Sequence, residues 1–128
     1  MRLLLDTHVF LWFVEGNSRL SKSAKDHVED DAHDLFLSVA SLWEMGVKIS
    51  LGKLELPQPF AEFMQRQLAL SSIELLEIRP PHAYATAILP FHHRDPFDRL
   101  LEVQCLSEGL TLVSADGVFE EYGVQRVW

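Results

Sequence analysis

Apolar and polar positions along this chain fall into short blocks whose spacing switches between strand-like and helix-like. Leu3-Leu4-Leu5 is a continuous apolar run and predicts a short buried strand. From Asp6-Thr7 the spacing of Phe10, Leu11, Trp12 and Val14 predicts an apolar helix that stops near Gly16-Asn17. Ser21 is placed to cap a polar helix running to about Ala32, and Leu35 to Val39 predicts a second strand. A helix is expected over Ser41 to Ile49 with Gly52 as its stop, and another over Phe60 to Leu70 after Pro57 and Pro59. Ile73 to Ile78 predicts a third strand, and Pro80-Pro81 opens a short helix to about Leu89. Residues 90–94 predict a loop. Phe97 to Ser107 predicts an amphipathic helix, with Phe97, Leu100, Leu101 and Cys105 on one face and Gly109 beyond its end. Leu110 to Val113 and Gln125 to Trp128 complete the predicted strands, with a turn or short helix starting at Asp116. Strands alternating with helices argue for an α/β fold of three layers, α/β/α, around a central parallel sheet of about four to five strands.

Length and composition narrow the class. At 128 residues the chain is expected to be one domain, 1–128, with no repeat or linker. Hydrophobic residues make up 48% and charged residues 23%, which excludes a disordered or fibrous protein. No apolar run is long enough to span a bilayer, so no membrane association is expected. The opening apolar run is cut off by Asp6 and lacks a small-residue cleavage site, unlike a secretory leader. The single cysteine permits no internal disulfide, in keeping with a reducing cytoplasm. The formal net charge of -8 argues against non-specific binding to a polyanion. Nucleic-acid chemistry then requires metal ions or local cations beside the acids.

Four acids stand where an apolar run gives way to a helical pattern: Asp6, Glu44, Asp98 and Asp116. Each has a local explanation as a helix cap. Asp6 or Thr7 can cap the first helix, Ser41 and Glu44 have capping-box spacing, and Asp116 can cap its own turn. Asp95 before Pro96 is a good cap, with Asp98 in the first turn, and a capping role is favoured for Asp95 over a ligand role. Yet Asn or Ser would cap as well, and open parallel sheets gather the carboxyl ends of their strands at one edge. If these ends converge, the acids form one site, and clustered carboxylates call for a cation. From the residues alone, capping and a shared site both stay open. Hard carboxylate oxygens without organised His or Cys suit Mg²⁺ or Mn²⁺, which can activate water for phosphodiester hydrolysis. Thr7 and Ser114 are adjacent polar residues able to orient the acids, and Arg99 could hold a carboxylate or a phosphate.

The other chemical groups offer less. His92-His93 has no partner at zinc spacing and is expected in a solvated loop. Cys105 is expected to pack, and Phe10, Trp12 and Trp43 are expected in the core. No phosphate-cradling glycine loop is present.

The chain resembles the PIN domain family, and within it toxin ribonucleases of the VapC type. The resemblance is carried by Leu3-Leu4-Leu5-Asp6-Thr7-His8, by Ser38-Val39-Ala40-Ser41-Leu42-Trp43-Glu44 with Lys48 and Gly52-Lys53-Leu54, by His93-Arg94-Asp95-Pro96-Phe97-Asp98-Arg99-Leu100-Leu101, and by Gly109 to Asp116. It covers nearly the whole chain, and four motifs in order are more specific than any one. It implies Mg²⁺- or Mn²⁺-dependent RNA cleavage, with Asp6, Glu44, Asp98 and Asp116 as metal-binding acids, Asp95 a less secure one, and Thr7 and Ser114 in support. It also implies a cognate antitoxin that blocks the site, and toxin homodimers or toxin–antitoxin hetero-oligomers. The acidic balance departs from expectation for an RNA binder, and Lys48, Lys53, Arg94 and Arg99 are the cations to examine. Two rival readings stand beside it. One is a metal-dependent phosphatase with Asp6 as nucleophile, disfavoured because no second acid follows two residues on. The other is a non-catalytic interaction module in which the acids are caps and Phe10, Trp12 and Trp43 form an interface.

Overall fold

The computed structural model describes all residues, 1–128. Its strands are β1 (Arg2–Leu5), β2 (Asp34–Ser38), β3 (Ile73–Leu76), β4 (Thr111–Val113) and β5 (Arg126–Val127). Its helices are α1 (Thr7–Glu15), α2 (Lys22–Glu29), α3 (Val39–Ser50), α4 (Phe60–Leu70), α5 (Pro80–Ala85) and α6 (Pro96–Glu108), with 3₁₀ segments over Thr86–Ile88 and Gly117–Tyr122. The five strands form one sheet in the order β3-β2-β1-β4-β5, and every pairing is parallel. The α/β reading and the expected strand count therefore hold. No helix is long and apolar enough to cross a membrane.

Alternation along β1 explains the layers. Successive side chains of a strand point to opposite faces. Leu3 and Leu5 join the core built with Val9, Phe10, Val28, Met45 and Phe63, so α1 to α4 cover one face. Leu4 points the other way and joins Leu101, Cys105, Leu112 and Phe119 beneath α6, against which α5 packs. Fully burying each of these large apolar side chains stabilises the fold by about 1.5–3 kcal/mol, before the opposing loss of conformational entropy.

Element ends follow local rules, with some departures from the sequence reading. Gly16 and Gly109 end α1 and α6 at φ 65 and 66, the left-handed region that glycine enters without a Cβ penalty. Strand β2 runs directly into α3, because Ser38 caps the helix by accepting from the Ala40 N–H at 3.0 Å. Ser41 and Glu44 therefore lie inside α3, and their capping-box spacing does not mark its start. The polar second helix ends at Glu29, three residues early, where the Asp30 side chain accepts from the Ala32 N–H at 2.9 Å. The sixth helix is not simply amphipathic. Glu102 and Gln104 are buried along with Leu101 and Cys105, because α6 lies between the sheet and α5. Gln104 meets both demands of burial by accepting from Ser38 Oγ at 2.6 Å and donating to the Glu77 carbonyl at 3.2 Å.

Candidate active site

The strand order reverses direction at β1: the chain first builds β2 and β3 on one side, then β4 and β5 on the other. In open α/β sheets a crevice opens at such a switch point, outside the carboxyl ends of the strands. Asp6 follows β1, and Asp116 lies three residues beyond the end of β4. The pairing of these two strands extends to Asp6, whose N–H donates to the Val113 carbonyl at 3.0 Å. Glu44 comes from the second turn of α3 and Asp98 from the first turn of α6. A cleft of about 370 Å³ is lined by Asp6, Glu44, Asp98 and Asp116 together with Asp95, Lys48 and Lys53. Four acids far apart in the chain thus share one cleft.

Each acid is held differently. Asp6 sits at the N-cap position of α1, yet its side chain makes no capping bond. Its Oδ2 instead accepts from Ser114 Oγ at 2.7 Å. Glu44 is buried, with Oε1 2.8 Å from Thr7 Oγ1 and Oε2 2.9 Å from Lys48 Nζ. Thr7 Oγ1 also lies 2.8 Å from Ser41 Oγ, so one hydroxyl donates into the other and the pair orients Glu44. Asp116 Oδ1 accepts from the Val118 N–H at 2.9 Å, and Oδ2 accepts from His93 Nε2 at 2.7 Å. Asp95 caps α6 as its sequence context suggests, with Oδ1 accepting from the N–H groups of Phe97 and Asp98 at 2.8 and 3.1 Å.

The electrostatics record unneutralised negative charge. Burial and the charges of Asp6 and Asp95 push the Asp98 carboxyl up to about 7. Burial also raises Asp6, against the hydrogen bond from Ser114. Burial acts to raise Asp116 as well, but the hydrogen bonds from His93 and the Val118 N–H outweigh it and hold the carboxyl low. The donor set is hard and anionic, and its nearest lysine is already engaged by Glu44. Such a set fits a hard divalent cation in chemistry. As placed, the side chains include no group of three close enough to share one ion. Glu44 is paired with Lys48 and Asp116 with His93, while the charge of Asp6 opposes ionisation of Asp98.

Several expectations are relocated. Arg99 does not line the cleft. Its buried guanidinium donates to the carbonyls of Thr86, Leu89, Pro90 and His93 at 3.0 to 3.3 Å and lies 4.0 Å from the Phe91 ring centroid. It ties down the loop before α6 and is not aimed at a phosphate. Phe10 is in the core as expected and Trp12 packs against it, but Trp43 is 63% exposed and rests edge-on against Phe97. Arg94 lines a neighbouring apolar groove with Trp43, Phe91 and Phe97. The largest omission is His93, which is half-buried and bridges Asp116 and Glu102, not solvated. No sequence spacing signals this, because the three residues meet only through the packing of a loop, a helix and a turn.

The same fold recurs in known proteins. The family model described as PIN domain matches residues 3–125. Ribonuclease VapC22 of Mycobacterium tuberculosis is 30% identical over 115 residues, which cover 89% of this chain and 86% of that protein. Among solved structures, VapBC2 from Rickettsia felis bound to a promoter DNA fragment superposes with a TM-score of 0.70 at 15% identity, covering 99% of this chain and 98% of that one. VapBC-1 from nontypeable Haemophilus influenzae gives 0.67 at 13% identity, with coverage of 99% and 97%. FitAcB from Neisseria gonorrhoeae gives 0.61 at 18% identity, with coverage of 98% and 96%. At these identities the structural likeness is one of fold.

Proposed function

This chain belongs to the PIN domain family, and from that premise we propose that it is a Mg²⁺- or Mn²⁺-dependent endoribonuclease, the toxin of a toxin–antitoxin pair. The observation that carries the reading is the convergence of Asp6, Glu44, Asp98 and Asp116 on one cleft at the switch point of a parallel sheet. Asp6, Asp98 and Asp116 are the proposed metal-binding acids, and Glu44 completes the set. A bound divalent cation supplies charge for the phosphodiester oxygens and lowers the pKa of the attacking water. The chain's own residues do the positioning. Ser114 turns Asp6, Thr7 and Lys48 turn Glu44, and the cap by Asp95 fixes the first turn of α6 that carries Asp98. Lys53, and Lys48 paired with Glu44, line the cleft and are the local cations where a phosphate enters. A recessed cleft favours unpaired RNA, whose backbone can bend into it.

The named relatives support the toxin role: one is a ribonuclease, and the structural neighbours are VapBC and FitAcB structures. A cognate antitoxin is accordingly the proposed inhibitor, in a hetero-oligomer or on a toxin homodimer, in the cytoplasm where RNA is found. Exposed Trp43, Ile88 and Phe91 give the molecule apolar surface of the kind that protein partners cover. The test is RNA cleavage by the wild-type chain with Mg²⁺, by the same chain with excess chelator, and by Asp6→Asn with Mg²⁺. Cleavage is expected only in the first, and equal cleavage in all three would exclude the mechanism.

A further inference from the structure

Asp116 lies between β4 and the 3₁₀ segment Gly117–Tyr122, outside regular structure, and its side chain is 41% exposed. A carboxylate so placed samples several rotamers unless it is held; the Val118 N–H holds Oδ1 at 2.9 Å and leaves Oδ2 to a second partner. His93 Nε2 lies 2.7 Å from its Oδ2. The imidazole is itself immobilised. Its ring centroid is 4.5 Å from that of Phe119, and it stacks on Tyr122 at 5.7 Å with the planes 5° apart. The His93 N–H donates to Tyr122 Oη at 2.5 Å, and its carbonyl accepts from Arg99 at 3.3 Å. The second ring nitrogen, Nδ1, meets Glu102 Oε1.

Glu102 is a second, independent observation. It is fully buried on α6, and its Oε2 has no hydrogen-bond partner. A buried carboxylate with an orphaned oxygen is unfavourable, and an apolar residue would pack there at less cost. Its other oxygen meets His93, and the Tyr122 hydroxyl and the Arg99 charge also favour its ionised form. With carboxylate oxygens at both ring nitrogens, each nitrogen carries a proton when both acids are ionised. The chain of contacts continues beyond Asp116, whose N–H donates to Ser114 Oγ at 3.1 Å, and Ser114 Oγ donates to Asp6 Oδ2 at 2.7 Å. One network therefore runs from the interior of α6, across the loop, to acids on both sides of the switch point.

We propose that His93, anchored by the buried carboxylate of Glu102, is a positioning residue that fixes the Asp116 carboxylate for metal binding. The inference rests on the metal-dependent reading of the cleft. His93 touches neither metal nor substrate in it. His93 does not line the cleft that Asp116 lines, and its N–H takes one lone pair of Oδ2, as partners behind metal ligands do. Losing such a partner weakens metal binding by about tenfold to a hundredfold.

The experiment is Mn²⁺ titration calorimetry of the folded full chain at a temperature well below its Tm, with RNA cleavage measured in parallel. Compared with wild type, His93→Ala is expected to weaken Mn²⁺ binding by at least about tenfold. His93→Gln, whose amide donates from near the position of Nε2, is expected to recover most of that loss. A role confined to packing would lower Tm alike in both variants and leave Mn²⁺ affinity unchanged in each. If His93→Ala does not fold, His93→Phe keeps the stacking on Phe119 and Tyr122 while removing both ring N–H groups, and replaces it. Asp116→Asn separates the failures. Wild-type Mn²⁺ affinity in His93→Ala or His93→Phe, with binding weakened in Asp116→Asn, overturns this inference and leaves the nuclease reading standing. Wild-type affinity in Asp116→Asn, or no Mn²⁺ binding by the wild-type chain, overturns both.

Discussion

The Asp98 carboxyl lies near pH 7, well above its ordinary 3.8, because burial and the charges of Asp6 and Asp95 oppose its ionisation. Neutral Asp98 favours the folded chain, so its contribution is complete below the ordinary carboxylate range, declines as pH rises, and is lost above about 7. Urea denaturation of the metal-free chain should therefore show a loss of stability between pH 5 and pH 8. Asp98→Asn should make that loss shallower, gaining on the order of 1 kcal/mol at pH 8 after solvent screening, while abolishing cleavage; Asp6, His93 and Glu102, also raised, keep the remainder. The same pH slope in both chains would contradict this. At Arg99 the direction reverses. Replacing it by Leu strands carbonyls that its guanidinium satisfies, and should cost about 2–4 kcal/mol in denaturant titration. Proteolysis should then open residues 86–94 first. Cys105 is a third case, its thiol pushed up to about 12 by burial and then by the charges of Asp6 and Glu102. A thiol reagent at pH 8 should leave it unmodified until denaturant is added. All three residues were visible in the sequence, but their environments were not. Asp98 and Cys105 owe their shifts first to burial and then to Asp6, brought in from the end of β1, and Arg99 reaches carbonyls of a loop whose path no pattern sets.

At the scale of elements, local rules placed most boundaries and failed where tertiary contacts outweighed them. Asp95-Pro96 predicts the start of α6 because a carboxylate cap and a proline in the first turn need only their immediate neighbours. Asp95→Ala should accordingly cost about 1 kcal/mol in thermal or urea unfolding. Asp95→Asn, which keeps the accepting oxygen, should retain both stability and cleavage; loss of Mn²⁺ binding in the Asn variant would instead make Asp95 a ligand. The spacing of Ser41 and Glu44 looks like an equally good helix start, yet Ser38 holds that place. Leu37 enters the core and Ser38 caps α3 immediately after it, which leaves Ser41 and Glu44 free to face Thr7 and the cleft. The buried polar residues of α6 escaped the amphipathic pattern for a similar reason, since a helix covered on two sides has no single apolar stripe.

For the whole molecule, metal binding is expected to be linked to folding. A cation that binds only the native cleft stabilises it by mass action, by about 2.7 kcal/mol at a concentration of a hundred times Kd. Mn²⁺ should therefore raise the Tm of the wild-type chain and leave that of Asp6→Asn nearly unchanged, as read by thermal denaturation with and without chelator. The amino-acid sequence by itself determined the succession of strands and helices, the parallel sheet, and the identity of the acids, because periodicity, caps and motifs are local properties of the chain. Tertiary structure alone decided that β1 is the central strand with β2 and β4 beside it. That order puts Asp6 and Asp116 across one crevice and brings Glu44 and Asp98 to it from helices on opposite faces of the sheet. It also decided that Trp43 is exposed, that Arg99 is committed to a loop, and that His93 joins Asp116 to Glu102. These outcomes depend on which surfaces pack together, and packing is a relation between distant segments that no local pattern encodes.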